Sequence, residues 1–143
     1  MNRKIPTDPQ RSALMARVRQ RETPAERTVG RLLRELGMGY RKNVRALRGS
    51  PDFANRSRYW AVFVHGCFWH QHPGCPRATI PTRNRAFWEA KFAANRDRDA
   101  RATSALRRKG FRVVTVWECQ VADAPAVKSR LSKLLKSGGV DVR

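Results

Sequence analysis

All three cysteines of the chain fall into one pattern: Cys67-x4-His72-x2-Cys75, closed far downstream by Cys119 in Val116-Trp117-Glu118-Cys119. Three thiolates and one imidazole complete a tetrahedral Zn2+ shell and leave no open position for water, so the spacing predicts a closed structural zinc. Such a site constrains the fold, because it pins residues 67–75 to a segment on the far side of a long helix. Buried apolar thiols, or a disulfide plus one free thiol, are the alternative reading. The odd number of cysteines argues against a secreted disulfide framework. His65 and His70 flank and enter the same loop and are left over as unligated imidazoles.

The second constraint is charge. Lys and Arg number 31 against 11 Asp and Glu, a net charge of +20 across 143 residues. That surplus attracts a polyanion and favours phosphate contacts through counterion release, so nucleic acid is the expected partner. The length suits one compact domain, and 41% hydrophobic residues suffice for a core. Met1-Asn2-Arg3-Lys4-Ile5-Pro6 has no signal-peptide run, and no stretch approaches the length of a membrane span. A cytoplasmic protein without membrane contact is expected, acting as a monomer.

Along the chain, residues 1–8 read as a basic arm and Ser12 to Gln20 as a short helix. Thr23-Pro24-Ala25-Glu26 is a capping box that opens a helix through Val29, Leu32, Leu33 and Leu36, ended by Gly37. Extended segments follow at 39–44, 52–55 and 59–65, the last carrying the apolar run of a central strand. After the Cys/His loop of residues 66–81, a long helix runs from about Asn84 to Lys109. Phe111 to Trp117 is another buried strand, and a terminal amphipathic helix spans about 123–136. The order α-α-β-β-β-α-β-α implies an α/β fold: a mixed central sheet flanked by helices, with a right-handed crossover. Asp52 and His65 then lie near the ends of adjacent strands.

On the long helix, Trp88, Phe92, Asn95, Asp99, Ala102 and Leu106 follow steps of four and three and share one face. Asn95 and Asp99 interrupt its apolar stripe, either as solvated edge residues or as groups turned toward a site. Pro51-Asp52 before a strand is the layout of PD-(D/E)xK nucleases, in which a strand-edge carboxylate holds Mg2+ against the scissile phosphate. The usual lysine is absent, and Phe63-Val64-His65 takes its place.

Three segments together make a specific resemblance. Phe63-Val64-His65-Gly66-Cys67-Phe68-Trp69-His70-Gln71-His72, Pro51-Asp52-Phe53 and Val116-Trp117-Glu118-Cys119 resemble the very short patch repair (Vsr) DNA mismatch endonucleases. The similarity runs from about Ser12 to Cys119, and it implies a single-domain variant PD-(D/E)xK fold with a structural zinc. It also implies an activity: nicking one strand of duplex DNA 5′ of the thymine in a T·G mismatch, the product of 5-methylcytosine deamination. Mismatch-repair proteins are candidate partners.

By the same resemblance, Asp52 binds the catalytic Mg2+ and Val64 lends it a backbone carbonyl. His65, His70 and Glu26 complete the catalytic set, although Glu26 is equally explained as the N3 residue of its capping box. Cys67, His72, Cys75 and Cys119 hold the zinc. Phe68, Trp69 and Trp88 wedge into the duplex beside the mismatch, with Met15 entering from the minor groove. Lys91 and Asn95 face the mismatch, and Asp99 orients His65. Physical chemistry suits these roles: an imidazole accepts a proton at neutral pH, a carboxylate supplies the hard oxygen Mg2+ prefers, and a weakly stacked wobble pair is cheap to open. Without the resemblance, Trp88 and Met15 read as core residues, whereas two large rings between zinc-loop residues favour an exposed Phe68-Trp69 platform. A restriction-type endonuclease of the same fold and a non-catalytic zinc-containing DNA-binding module are the alternatives.

Overall fold

A computed structural model describes residues 23–137; Met15, the expected first helix and the basic arm lie outside the described residues. Helix α1 spans Pro24–Glu35, with the Thr23 hydroxyl accepting from the Glu26 amide at 3.1 Å. Gly37, at φ +72°, closes it in the left-handed region. Strands β1 (Arg41–Lys42), β2 (Phe53–Asn55) and β3 (Trp60–His65) follow. Helix α2 (Arg85–Arg108), strand β4 (Arg112–Trp117) and helix α3 (Ala124–Ser137) complete the order, with a 3-10 segment Glu118–Ala122 before α3. The sequence pattern did not call for that segment. The expected strand over 39–44 shrinks to two residues because Asn43 turns to φ +50°.

The four strands lie in the order β1-β2-β3-β4. Pairings β1/β2 and β2/β3 are antiparallel, whereas β3/β4 is parallel, so the sheet is mixed. Side chains alternate across a strand. Phe53, Trp60, Val62 and Val116 therefore face one layer, packed with Val29, Leu32 and Leu33 of α1 and Val127, Leu131 and Leu134 of α3. Ala54, Ala61 and Phe63 face the other, against Ala102 and Leu106 of α2.

The alternation fixes where functional groups emerge. Ala61, Phe63 and His65 share the α2 face, so the imidazole at the carboxyl end of β3 lies on the helix that carries Asp99. Small residues permit the close approach there: a Cβ on Gly49 (φ +80°) would meet the Ala102 Cβ at 2.6 Å. None of the described helices is long and apolar enough to cross a membrane.

Candidate active site and metal centre

In the parallel β3/β4 ladder, His65 pairs with Trp117. Cys67 and Cys119 each lie two residues beyond that pair, so the register brings them to the same height. The loop after β3 then turns back: the His70 amide bonds the Gly66 carbonyl, and the His72 amide the Cys67 carbonyl. Gln71, at φ +48°, donates through its buried side chain to the carbonyls of Phe68 and Thr79.

The result gathers Cys67, His72, Cys75 and Cys119, whose ligand atoms all lie within 4.8 Å of one another. His72 Nδ1 is 3.7 Å from Cys67 Sγ and 3.5 Å from Cys119 Sγ. Ordinary Zn–S and Zn–N bonds in a tetrahedron set an S···N edge of about 3.6 Å, so the donor set fits Zn2+. Burial pushes the Cys67 thiol up, which a bound dication would offset, and the Arg77 amide holds Cys75 below its ordinary range. The Cys67 amide donates to Glu118 Oε1 at 3.1 Å, a partner the sequence pattern did not single out.

A second cluster lies two residues back along the chain from Cys67, where His65, His70 and Asp99 converge. The two imidazoles stack with centroids 3.8 Å apart and planes 5° from parallel. Asp99 Oδ2 lies 2.6 Å from His70 Nδ1 and 4.0 Å from His65 Nδ1. The expected partner of Asp99 was His65; in the structure it hydrogen-bonds His70. The Gly66 to His70 turn carries the His70 ring over the His65 face, between that ring and α2.

Burial opposes ionisation of Asp99, yet the His70 hydrogen bond and the surrounding positive charge hold its carboxyl below the ordinary value. An ionised carboxylate only accepts, so His70 Nδ1 is the donor in this hydrogen bond. His65 is pushed down to about 4, by burial first and His70 second, and stands neutral at neutral pH.

Asp52 precedes β2, and its Oδ2 accepts the Val64 amide at 2.6 Å, which ties it to the same end of β3. Burial raises it to about 6, partly offset by that hydrogen bond and by the nearby His70. Glu26 sits half-buried in the first turn of α1 and is not part of the His65, His70 and Asp99 cluster.

The aromatic residues form a nest rather than an exposed platform. Phe68 packs edge-on against Phe92 at 5.1 Å, and Trp69 lies 6.1 Å from Trp88. Both loop rings are half-buried because Trp88 and Phe92 extend the apolar face of α2 beneath them. Trp88 is only 5% exposed, and its indole nitrogen is buried without a hydrogen-bond partner. The ring that protrudes beside it is Phe87, 45% exposed, which sequence reasoning missed because it stands off the helix stripe. Asn95 donates to the Trp69 carbonyl at 3.0 Å and accepts from Arg98 at 2.8 Å. It and Asp99 are thus turned toward the loop, and both are half-buried. Lys91, one turn before Asn95, is half-buried.

The fold defines the class. The chain is similar to a solved structure titled "Homing Endonuclease I-Bth0305I Catalytic Domain", with a TM-score of 0.58 and 21% identity over 82% of this chain and 99% of that one. The likeness shows a nuclease fold.

The chain belongs to the Vsr family of DNA endonucleases: the family model described as "DNA mismatch endonuclease Vsr" matches residues 4–76. Among its relatives is "Type II nicking enzyme V.XorIIP" of Xanthomonas oryzae pv. oryzae, 41% identical over 87% of this chain and 91% of that protein. "DNA mismatch endonuclease Vsr" of Escherichia coli K12 is 38% identical over 76% of this chain and 69% of that protein. "Type II nicking enzyme V.NmeAIP" of Neisseria meningitidis is 35% identical over 91% and 92%.

Proposed function

We propose that the protein nicks one strand of duplex DNA 5′ of the thymine in a T·G mismatch, by Mg2+-dependent hydrolysis, with Zn2+ purely structural. Family membership supports DNA cleavage, and the description of the matching family supports mismatches as its target. The observation that carries the chemistry is the 2.6 Å Asp99–His70 bond beside the Asp52 carboxylate.

Asp99 fixes the His70 tautomer, so Nε2 can take a proton from the attacking water. Asp52 offers a carboxylate oxygen and Val64 a backbone carbonyl for the cation. A bound Mg2+ would neutralise charge on the phosphate and on the leaving oxygen. His65, neutral and stacked on His70, limits the ways that ring can rotate. The +20 charge draws the duplex in, and the half-buried Phe68 and Trp69, backed by the buried Trp88, are the rings against which an opened base pair can stack. Phe87 is placed to lead that contact.

The test is strand-specific nicking of matched and T·G duplexes of one sequence, with and without Mg2+. One cut 5′ of the mismatched thymine, only with Mg2+, is expected. Equal cutting of the matched duplex would favour the restriction-type alternative, and tight binding without cleavage would favour a non-catalytic module.

A further inference from the structure

All three histidines of the chain meet on one side chain that no role above accounts for, the indole of Trp117. The His72 ring, in the metal cluster, stacks on it at 4.2 Å with planes 10° apart. His65 approaches it edge-on at 5.2 Å and 76°, and His70 at 6.5 Å and 72°. The indole is therefore a spacer between the three-cysteine, one-histidine cluster and the two imidazoles of the candidate active site.

The constraints on those imidazoles are unequal. Asp99 holds His70 through a 2.6 Å hydrogen bond. It lies 4.0 Å from the His65 ring, outside hydrogen-bond distance, and the His65 imidazole has no side-chain hydrogen bond within the described residues. Packing alone orients His65: His70 covers one ring face at 3.8 Å, and Trp117 and Phe63 abut it at 5.2 and 5.7 Å.

Trp117 itself is firmly seated. Its amide donates to Gln120 Oε1 at 3.0 Å, and Arg130 holds the same oxygen at 3.1 Å. The next two residues clamp the loop: Glu118 accepts the Cys67 amide, and Cys119 Sγ lies 3.5 Å from His72 Nδ1. A displacement of the cluster would thus be passed through one rigid ring to His65 and His70.

We propose that Trp117 is a positioning residue, setting His65 and His70 against the metal cluster so that the chemical step, rather than DNA binding, depends on it. This rests on the endonuclease reading above. The test compares wild type with Trp117→Leu and Trp117→Phe for single-turnover nicking of a T·G duplex, duplex Kd, zinc content and imidazole C–H resonances.

For Trp117→Leu, nicking falls about a hundredfold, as misplacement of a reacting group by an ångström does, while Kd and zinc content hold. The flat ring of Trp117→Phe restores most of the rate. Losing the indole ring current shifts all three imidazoles in both variants. A Leu variant that keeps its zinc and nicks within threefold of wild type overturns the proposal. So does a rate loss fully repaired by added zinc. Should the Leu variant not fold, nuclear Overhauser contacts between Trp117 and His65 in the wild type decide, and their absence also overturns it. A wild type that nicks no duplex sinks the endonuclease reading alone, since those contacts are read without activity.

Discussion

Asp52→Asn should make the protein more stable while removing its proposed activity. In the fold without Mg2+, burial raises the Asp52 carboxyl from 3.8 to about 6. The native state therefore binds the proton more tightly than the unfolded chain does, and stability falls as pH rises through that interval. A shift of that size corresponds to about 3 kcal/mol once both pKa values are passed, fully felt above pH 7 and absent below pH 3. Asparagine keeps an oxygen to accept the Val64 amide and carries no charge to desolvate.

The variant should thus exceed wild type by about 1.5 kcal/mol at pH 5 and about 3 kcal/mol at pH 8, somewhat less for the partial exposure of the site. Urea unfolding of both proteins across that range, zinc present and Mg2+ omitted, measures the difference and cancels every other titrating group to first order. Added Mg2+ should narrow the gap by stabilising wild type alone. A difference that stays flat with pH, or a variant less stable than wild type at pH 8, refutes the reasoning.

Asp99→Asn leaves the shape but lets His70 Nδ1 become the acceptor; single-turnover nicking should fall about 10²–10⁴-fold, and a change under threefold would remove the tautomer argument. Cys119→Ala should lower zinc content and melting temperature together; an unchanged melting temperature would contradict a structural metal. Gly49→Ala combines a left-handed φ of +80° with a Cβ 2.6 Å from that of Ala102. A loss of about 1–3 kcal/mol is expected by denaturation, and no loss would mean that the loop before β2 gives way freely.

Much of this architecture could be read from residue order. The Thr23-Pro24 cap, the apolar run of β3 and the four-and-three stripe of α2 each predicted an element within a residue or two, because local propensity and burial agree there. The same stripe singled out Asn95 and Asp99. The partner of Asp99 was not legible, since His65 and His70 both lie within reach and only the loop turn decides which ring comes first. Exposure of Phe68 and Trp69 was misjudged for a similar reason: nothing local to residues 66–81 reveals that Trp88 and Phe92 lie underneath. Phe87 carried no spacing signal, and Trp117 stood in a quoted motif with no role assigned to it.

Composition and spacing determined the donor set for a metal, the charge that favours nucleic acid and the α/β order, and three motifs carried the family resemblance, because each depends on residue identity along the chain. The three-dimensional fold decided which groups touch. Parallel pairing of His65 with Trp117 brings Cys67 level with Cys119 and puts one indole against three imidazoles. Register between distant strands is chosen by the burial of whole sheet faces, a property of no short segment, and so it appears only once the chain has packed.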